Sequence, residues 1–290
     1  MARKATKRAP RRSAPRTPRP PKGPETKVVT ASGLRILNCL PSRDTASDWR
    51  IDSALAAGIL EAAPPIPPAK DLREKWWTIN DQGSTGSCVG WATADSVLRW
   101  HFLKAGRLTT KQVLSPRFIW MAAKETDEFN GRPTTFIETD GTSLKAALDI
   151  ARTYGCVEDT VLPFATGRLY PDKAATFYAI AAQLKIASYI NLGRNLADWR
   201  RWLATKGPIL TRLDCDNTWM NAKNTSGKLD VYDATSMQGG HAVALVGYNP
   251  NLFIVRNSWG TTLWGDKGFG YASNAYAAAA FTEAYGVNVV

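Results

Sequence analysis

Histidine is almost missing from this chain of 290 residues, which has His101 and His241 and no others. Cysteine is scarce too: the four thiols are Cys39, Cys88, Cys156 and Cys215, with no Cys-x-x-Cys pair among them. A zinc site is therefore not expected, nor any other metal or cofactor, nor the bridge density of a small disulfide scaffold. No apolar run approaches the roughly 20 residues that span a bilayer. No apolar segment follows the N-terminal charges either, which argues against a secretory leader, and prolines there prevent the amphipathic helix of a transit peptide. A cytoplasmic location with reduced thiols is the expectation, a signal-independent export route remaining open.

Acidic residues are nearly absent from one stretch. Between Met1 and Lys27 ten Lys and Arg face only Glu25, so this tail holds nine of the chain's net twelve positive charges. Six prolines from Pro10 to Pro24 crowd the same stretch, and a segment so polar cannot offset its ordering entropy by burial. It suits an anionic partner (nucleic acid, anionic lipid or acidic protein) or serves as a solvated tether. The rest of the chain has a net charge of only about +3. With 44% hydrophobic residues overall, it has enough apolar surface for a sizeable core.

Residues 28–69 form an N-terminal extension or short pro-segment. Leu34, Ile36, Leu37 and Leu40 suggest a strand, and Thr45-Ala46-Ser47-Asp48 reads as the cap of a helix through Ala54–Leu60. Pro64-Pro65-Ile66-Pro67-Pro68 is a stiff spacer. The main domain is placed at 70–290.

Within that domain, the polar, glycine-rich turn Gln82-Gly83-Ser84-Thr85-Gly86-Ser87 leads into Cys88. Val89, Ala92, Val97, Leu98, Phe102 and Leu103 follow at mainly helical spacing, up to a stop near Gly106. Cys88 thus falls in the first helical turn, where unpaired N–H groups and the macrodipole favour a thiolate. A small buried hydrophobe is the competing reading. A thiol nucleophile needs a base. His101 lies about 20 Å further along the same helix, too far to serve.

His241 opens a buried strand to Tyr248, Asn249-Pro250-Asn251 is a turn, and Leu252–Arg256 is a second strand. Folded as a hairpin about residue 249 or 250, His241 comes opposite or nearly opposite Asn257. A side-chain amide there can orient one imidazole nitrogen and aim the other at a thiolate. The alternative is a polar pair closing a hairpin end.

These segments resemble the papain-like cysteine peptidases, in their shorter bacterial-type form. The resemblance rests on Gln82 six residues before Cys88, on Ser87-Cys88-Val89-Gly90-Trp91, on Gly240-His241-Ala242, and on Asn257-Ser258-Trp259-Gly260. Trp264-Gly265-Asp266-Lys267-Gly268-Phe269-Gly270 matches a further family segment with one extra residue before it. The motifs keep their order over about 71–270. Thr85 stands where papain has a bridged cysteine, Val89 replaces a tryptophan, and the glycine-rich substrate wall is reduced to Asp140-Gly141.

The resemblance implies an α+β, papain-like two-lobed fold. A helical lobe carries Cys88, an antiparallel β-barrel-like lobe carries His241 and Asn257, and the active-site cleft lies between them. It further implies hydrolysis of a peptide or protein substrate through an acyl-enzyme thioester, with Cys88, His241, Asn257 and Gln82 as catalytic residues and Trp259 as a shield. Residues 28–63 leave no room for the long helical pro-region of many relatives. A non-catalytic binding protein on this fold, or an acyl transferase or amidase using the same triad, are the alternatives. Trp76-Trp77 and Trp199–Trp202 read as core or helix-face packing.

Overall fold

A computed structural model describes residues 26–30, 33–58, 60, 65–126, 140–165 and 172–289. The basic tail up to residue 25, including its expected partner contacts, lies outside the described residues. The chain enters through an antiparallel ribbon, β1 (Thr26–Thr30) with β2 (Gly33–Leu37), followed by α1 (Ile51–Ala56). The helix start expected at Thr45–Asp48 is one short 3-10 turn, and α1 begins after Arg50 without a side-chain cap. Asp48 fails as a cap because its carboxylate is spent elsewhere: it pairs with Lys145 Nζ at 2.6 Å and accepts from Asn191 Nδ2 and Tyr285 OH.

The helical half is built on one continuous helix over 88–104. It runs as a single turn α2 (Cys88–Gly90), a π-helical stretch π1 (Trp91–Leu98) and α3 (Arg99–Lys104). It ends where the sequence predicts, with Gly106 at φ 71° and the Arg107 N–H returning to the Phe102 carbonyl. Every residue of π1 is buried, Asp95 and Ser96 included, so this stretch has no solvent face. Helices α4 (Pro116–Thr126) and α5 (Leu144–Thr153) pack beside it, α5 being capped by Ser143 Oγ. His101 is buried at the far end, and burial pushes its pKa down to about 4. The unfolded chain therefore takes up the proton first, between about pH 6.5 and 4. Acidification across that window is expected to cost about 3 kcal/mol of unfolding free energy. Urea titrations at several pH values should show this fall, and His101→Phe should flatten it.

The second half is an eight-stranded mixed sheet in the order β4 (Ser188–Asn191), β10 (Phe281–Asn288), β5 (Ile209–Cys215), β7 (Gly239–Tyr248), β8 (Leu252–Arg256), β9 (Phe269–Ser273), β6 (Lys228–Leu229). Strand β3 (Lys70–Asp71) adds to β7. The pairs are antiparallel except β6 with β9. Helix α6 (Ala174–Ala181) precedes β4. Helix α7 (Leu196–Thr205) packs on β7, as does the helix carrying Cys88, and the strand is buried from Gly240 to Tyr248. That double cover explains its unbroken apolar run. Trp199 and Trp202 are core, as expected; Trp77 is buried and Trp76 half-buried.

The hairpin expected between His241 and Asn257 forms, and near His241 its register is that of a turn centred at residue 250. Ala244 faces Arg256 and Leu245 faces Val255, with a bulge at Val246. Asn257 is thus two positions out of step with His241 along the ladder.

Candidate active site

Cys88, His241, Asn257 and Gln82 come together where the N-terminus of the central helix meets the start of β7 and the segment after β8. All four are fully or almost fully buried. Across this two-residue offset, His241 Nε2 donates to Asn257 Oδ1 at 2.8 Å, which leaves Nδ1 as the ring nitrogen on the Cys88 side. The Ser258 N–H also binds Asn257 Oδ1 at 2.8 Å and fixes the amide's orientation.

The Cys88 thiol is held well below the usual thiol range. A hydrogen bond from the Cys39 thiol is the largest cause; burial opposes it, and His241 and the Ala242 backbone N–H add further stabilisation. A thiolate is thus the favoured form, in the first turn of a helix whose dipole acts in the same direction.

Gln82 is anchored at three points. Its backbone N–H binds the Ser258 carbonyl at 2.8 Å, its Oε1 accepts from Ser258 Oγ at 2.8 Å, and its Nε2 donates to the Thr85 carbonyl at 3.0 Å. One amide hydrogen remains for a ligand. Thr85 Oγ1 donates to the Gln82 carbonyl at 2.8 Å and shares a hydrogen bond with Ser87 Oγ at 2.6 Å. The loop is therefore braced by hydroxyl groups.

Trp259 lies 5.0 Å from the imidazole, ring centre to ring centre, and Trp219 lies 5.6 Å away. Trp219 is locked in place by α8 (Asn217–Met220), whose cap Asp216 also accepts from Tyr276 OH. Neither Trp219 nor its anchor was legible in sequence. A second unforeseen element is a buried charge network joining the two halves. Arg256, the residue before Asn257, binds Asp95 Oδ2 at 2.8 Å and Ser96 Oγ at 2.5 Å, on the helix that starts with Cys88. It ties the helix that starts with Cys88 to the strand that leads into Asn257.

Comparison with known proteins agrees with this geometry. Residues 66–285 match the model of the papain family cysteine proteases. The chain belongs to the papain family. Mouse cathepsin J is 26% identical over 216 residues, covering 70% of this chain and 59% of that protein; the chain thus spans under two thirds of that relative. Cathepsin B-like CP3 of Giardia intestinalis is 25% identical over 225 residues, 72% of this chain and 69% of that protein. Among solved structures, xylellain, a cysteine protease from Xylella fastidiosa, superposes with a TM-score of 0.71 at 19% identity, over 93% of this chain and all of xylellain. Procathepsin B S9 from Trypanosoma congolense gives 0.61 at 17%, over 87% and 86%. The papain-like α+β fold expected from the motifs is the fold observed.

The papain-family match begins at residue 66, yet the cleft is crossed by residues that precede it. From β2, Arg35 binds Asp81 with both Nη atoms, at 2.6 and 3.1 Å, and Ser84 Oγ donates to the Leu34 carbonyl. The Cys39 N–H then binds the Gly240 carbonyl at 2.9 Å, and the Leu40 N–H binds the Thr142 carbonyl at 3.0 Å. Ser42 N–H ends the crossing on Glu283 Oε1 at 2.9 Å. Two glycines permit so close an approach. A Cβ on Gly141 would lie 1.9 Å from the Asn38 carbonyl oxygen, and one on Gly240 would lie 2.3 Å from that of Cys39. The extension is therefore a strap laid over Cys88, anchored beyond the cleft by Asp48.

Proposed function

We propose that the chain is a cysteine endopeptidase that cleaves peptide or protein substrates through a Cys88–His241–Asn257 triad. The observation that carries this reading is the buried relay in which Asn257 Oδ1 binds His241 Nε2 while the opposite side of the ring addresses a stabilised Cys88 thiolate. The thiolate attacks the substrate carbonyl carbon. The oxyanion is received by the Cys88 backbone N–H and the remaining Gln82 amide hydrogen, donors of this kind being worth about 3 kcal/mol each. His241 Nδ1 gives its proton to the leaving amine, the peptide bond breaks, and a thioester remains. Water then loses a proton to His241 and attacks the thioester, which releases the acid and restores the thiolate. Trp259 and Trp219 screen the His241–Asn257 bond from water.

The strap supports internal cleavage. It lies along the cleft to both sides of Cys88, from Arg35 at the Asp81–Gly83 loop to Ser42 at Glu283, so a polypeptide fits on each side of the nucleophile. The strap is not itself poised as substrate at Cys39, because that carbonyl is turned onto Arg212 Nε at 3.0 Å. The extension acts as a short pro-segment, and the basic tail acts as an electrostatic tether separable from catalysis. Mass spectrometry of products from a peptide library, with a competing amine present, tests the reaction type. Water-derived carboxyl termini within the peptides are expected; predominantly amine adducts would make the chain a transferase, and intact peptides after strap release would make it a binding protein.

A further inference from the structure

Cys39 lies outside the Cys88–His241–Asn257 triad, yet it is the strap residue whose thiol interacts with that of Cys88. It lies outside the residues matched by the papain family. Its backbone is pinned on both faces, N–H to the Gly240 carbonyl at 2.9 Å and carbonyl to Arg212 Nε at 3.0 Å. Gly240 directly precedes His241, and Arg212 is itself fixed by Asp214 at 2.9 Å and Thr282 Oγ1 at 2.7 Å. The neighbouring Leu40 is held by Thr142. A side chain on so constrained a backbone has little freedom to leave the nucleophile. Both cysteines are free thiols, and both are buried.

We propose that Cys39 and Cys88 form an oxidative modification site: a peroxide converts their contact into a reversible disulfide that locks the strap across the cleft. The site's consequence for activity rests on Cys88 being the nucleophile, but the cross-link itself does not. In the first step the Cys88 thiolate attacks one oxygen of hydrogen peroxide, the O–O bond breaks, and hydroxide leaves and takes up a proton to become water. Cys88 is then a sulfenic acid, oxidised by two electrons. Cys39 gives up its proton, its sulfur attacks the Cys88 sulfur, and the departing hydroxide takes that proton as a second water. One peroxide thus oxidises two thiols to one disulfide and two waters. A dithiol reductant returns two electrons and two protons and restores both thiols.

The two sulfurs are suited to these separate parts. Burial and the bond to Cys88 keep Cys39 protonated, with its pKa raised well above the ordinary value, while Cys88 is held as the reactive thiolate. Cys39 is therefore slow to meet peroxide itself but adjacent when Cys88 has done so. An unpartnered sulfenic acid goes on to sulfinic acid, which a dithiol does not reverse. Resolution by Cys39 diverts it, so the latch also preserves the nucleophile. Cys215 is the internal control: buried, with its thiol pKa raised well above the ordinary value by burial, it interacts with Cys88 through charge.

The test is peptide mapping of the reduced full chain after one equivalent of hydrogen peroxide, with alkylation of remaining thiols in denaturant and digestion without reductant. Expected is a cross-linked pair of peptides containing Cys39 and Cys88, with Cys156 and Cys215 still alkylated, and both thiols recovered with dithiothreitol. In Cys39→Ser, Cys88 should reach sulfinic acid at least about tenfold faster than in the wild type, and dithiothreitol should not rescue it. A Cys88–Cys215 bridge, or wild-type Cys88 passing to sulfinic acid without a Cys39 cross-link, would overturn the proposal. The readout needs no peptidase activity. A cross-link in a chain that never cleaves peptides would leave this site standing and sink the catalytic reading; cleavage without a cross-link would do the reverse.

Discussion

Cys88→Ala should abolish peptide hydrolysis, lowering turnover by at least about four orders of magnitude, since removal of a nucleophile from a comparable triad costs about 10⁶ in kcat. No other residue can replace the sulfur. His101 lies at the far end of the same helix, and the remaining thiols Cys39, Cys156 and Cys215 are buried, with burial pushing their pKa values up. The fold should survive, because alanine keeps the helix start and removes one buried atom that touches Cys39 and His241. Fluorogenic peptide turnover and a thermal melt check both halves of the expectation. The strap masks the cleft, so the comparison belongs in an Asp48→Ala background. That substitution removes a carboxylate that holds Lys145, Asn191 and Tyr285, and so loosens the anchor without touching the triad. Residual hydrolysis within tenfold of the parent would place the nucleophile elsewhere.

Gln82→Ala is expected to lower kcat by two to three orders of magnitude and leave KM nearly unchanged. The asymmetry follows from where the amide acts. Its donor matters when the carbonyl oxygen becomes an oxyanion, so the loss falls on the transition state and hardly at all on substrate binding. A purely structural role would give a different pattern. Gln82 also braces Ser258 and the Thr85 carbonyl, and losing those bonds alone would lower the melting temperature and leave kcat intact. Steady-state kinetics of the variant in the Asp48→Ala background, paired with its melting curve, separate the two. An unchanged kcat would remove Gln82 from the oxyanion hole.

What could be read in the sequence was local. The Cys88 helix start, its stop at Gly106, the β7–β8 hairpin and the buried tryptophans of α7 each follow from turn residues and periodicity within a short window. The four candidate residues that the structure brings together were legible because their motifs are local as well. The hairpin register near His241 fell within the expected range, and the His241–Asn257 bond forms diagonally across it. Failures came where distant segments decide. Asp48 looked like a helix cap until Lys145, Asn191 and Tyr285, all remote in sequence, claimed its carboxylate. Asp95 and Arg256 gave no sign of pairing, since nothing in either neighbourhood distinguishes a buried ion pair from two surface charges. Cys39 was one scarce cysteine among four. Its meaning arises only when the strap is laid between Gly240 and Thr142.

The placement of the reactive thiolate at Cys88, under a removable strap, is tested most directly by labelling with a peptidyl epoxide under reducing conditions, followed by mass mapping of the adduct. The full chain should be labelled slowly, and Asp48→Ala faster by about tenfold or more, as expected for a loss near 1.4 kcal/mol in strap anchoring. In both, one adduct should sit on Cys88, and Cys88→Ala should carry none. Equal labelling of Cys88→Ala, or no labelling of the folded Asp48→Ala protein, would contradict the assignment.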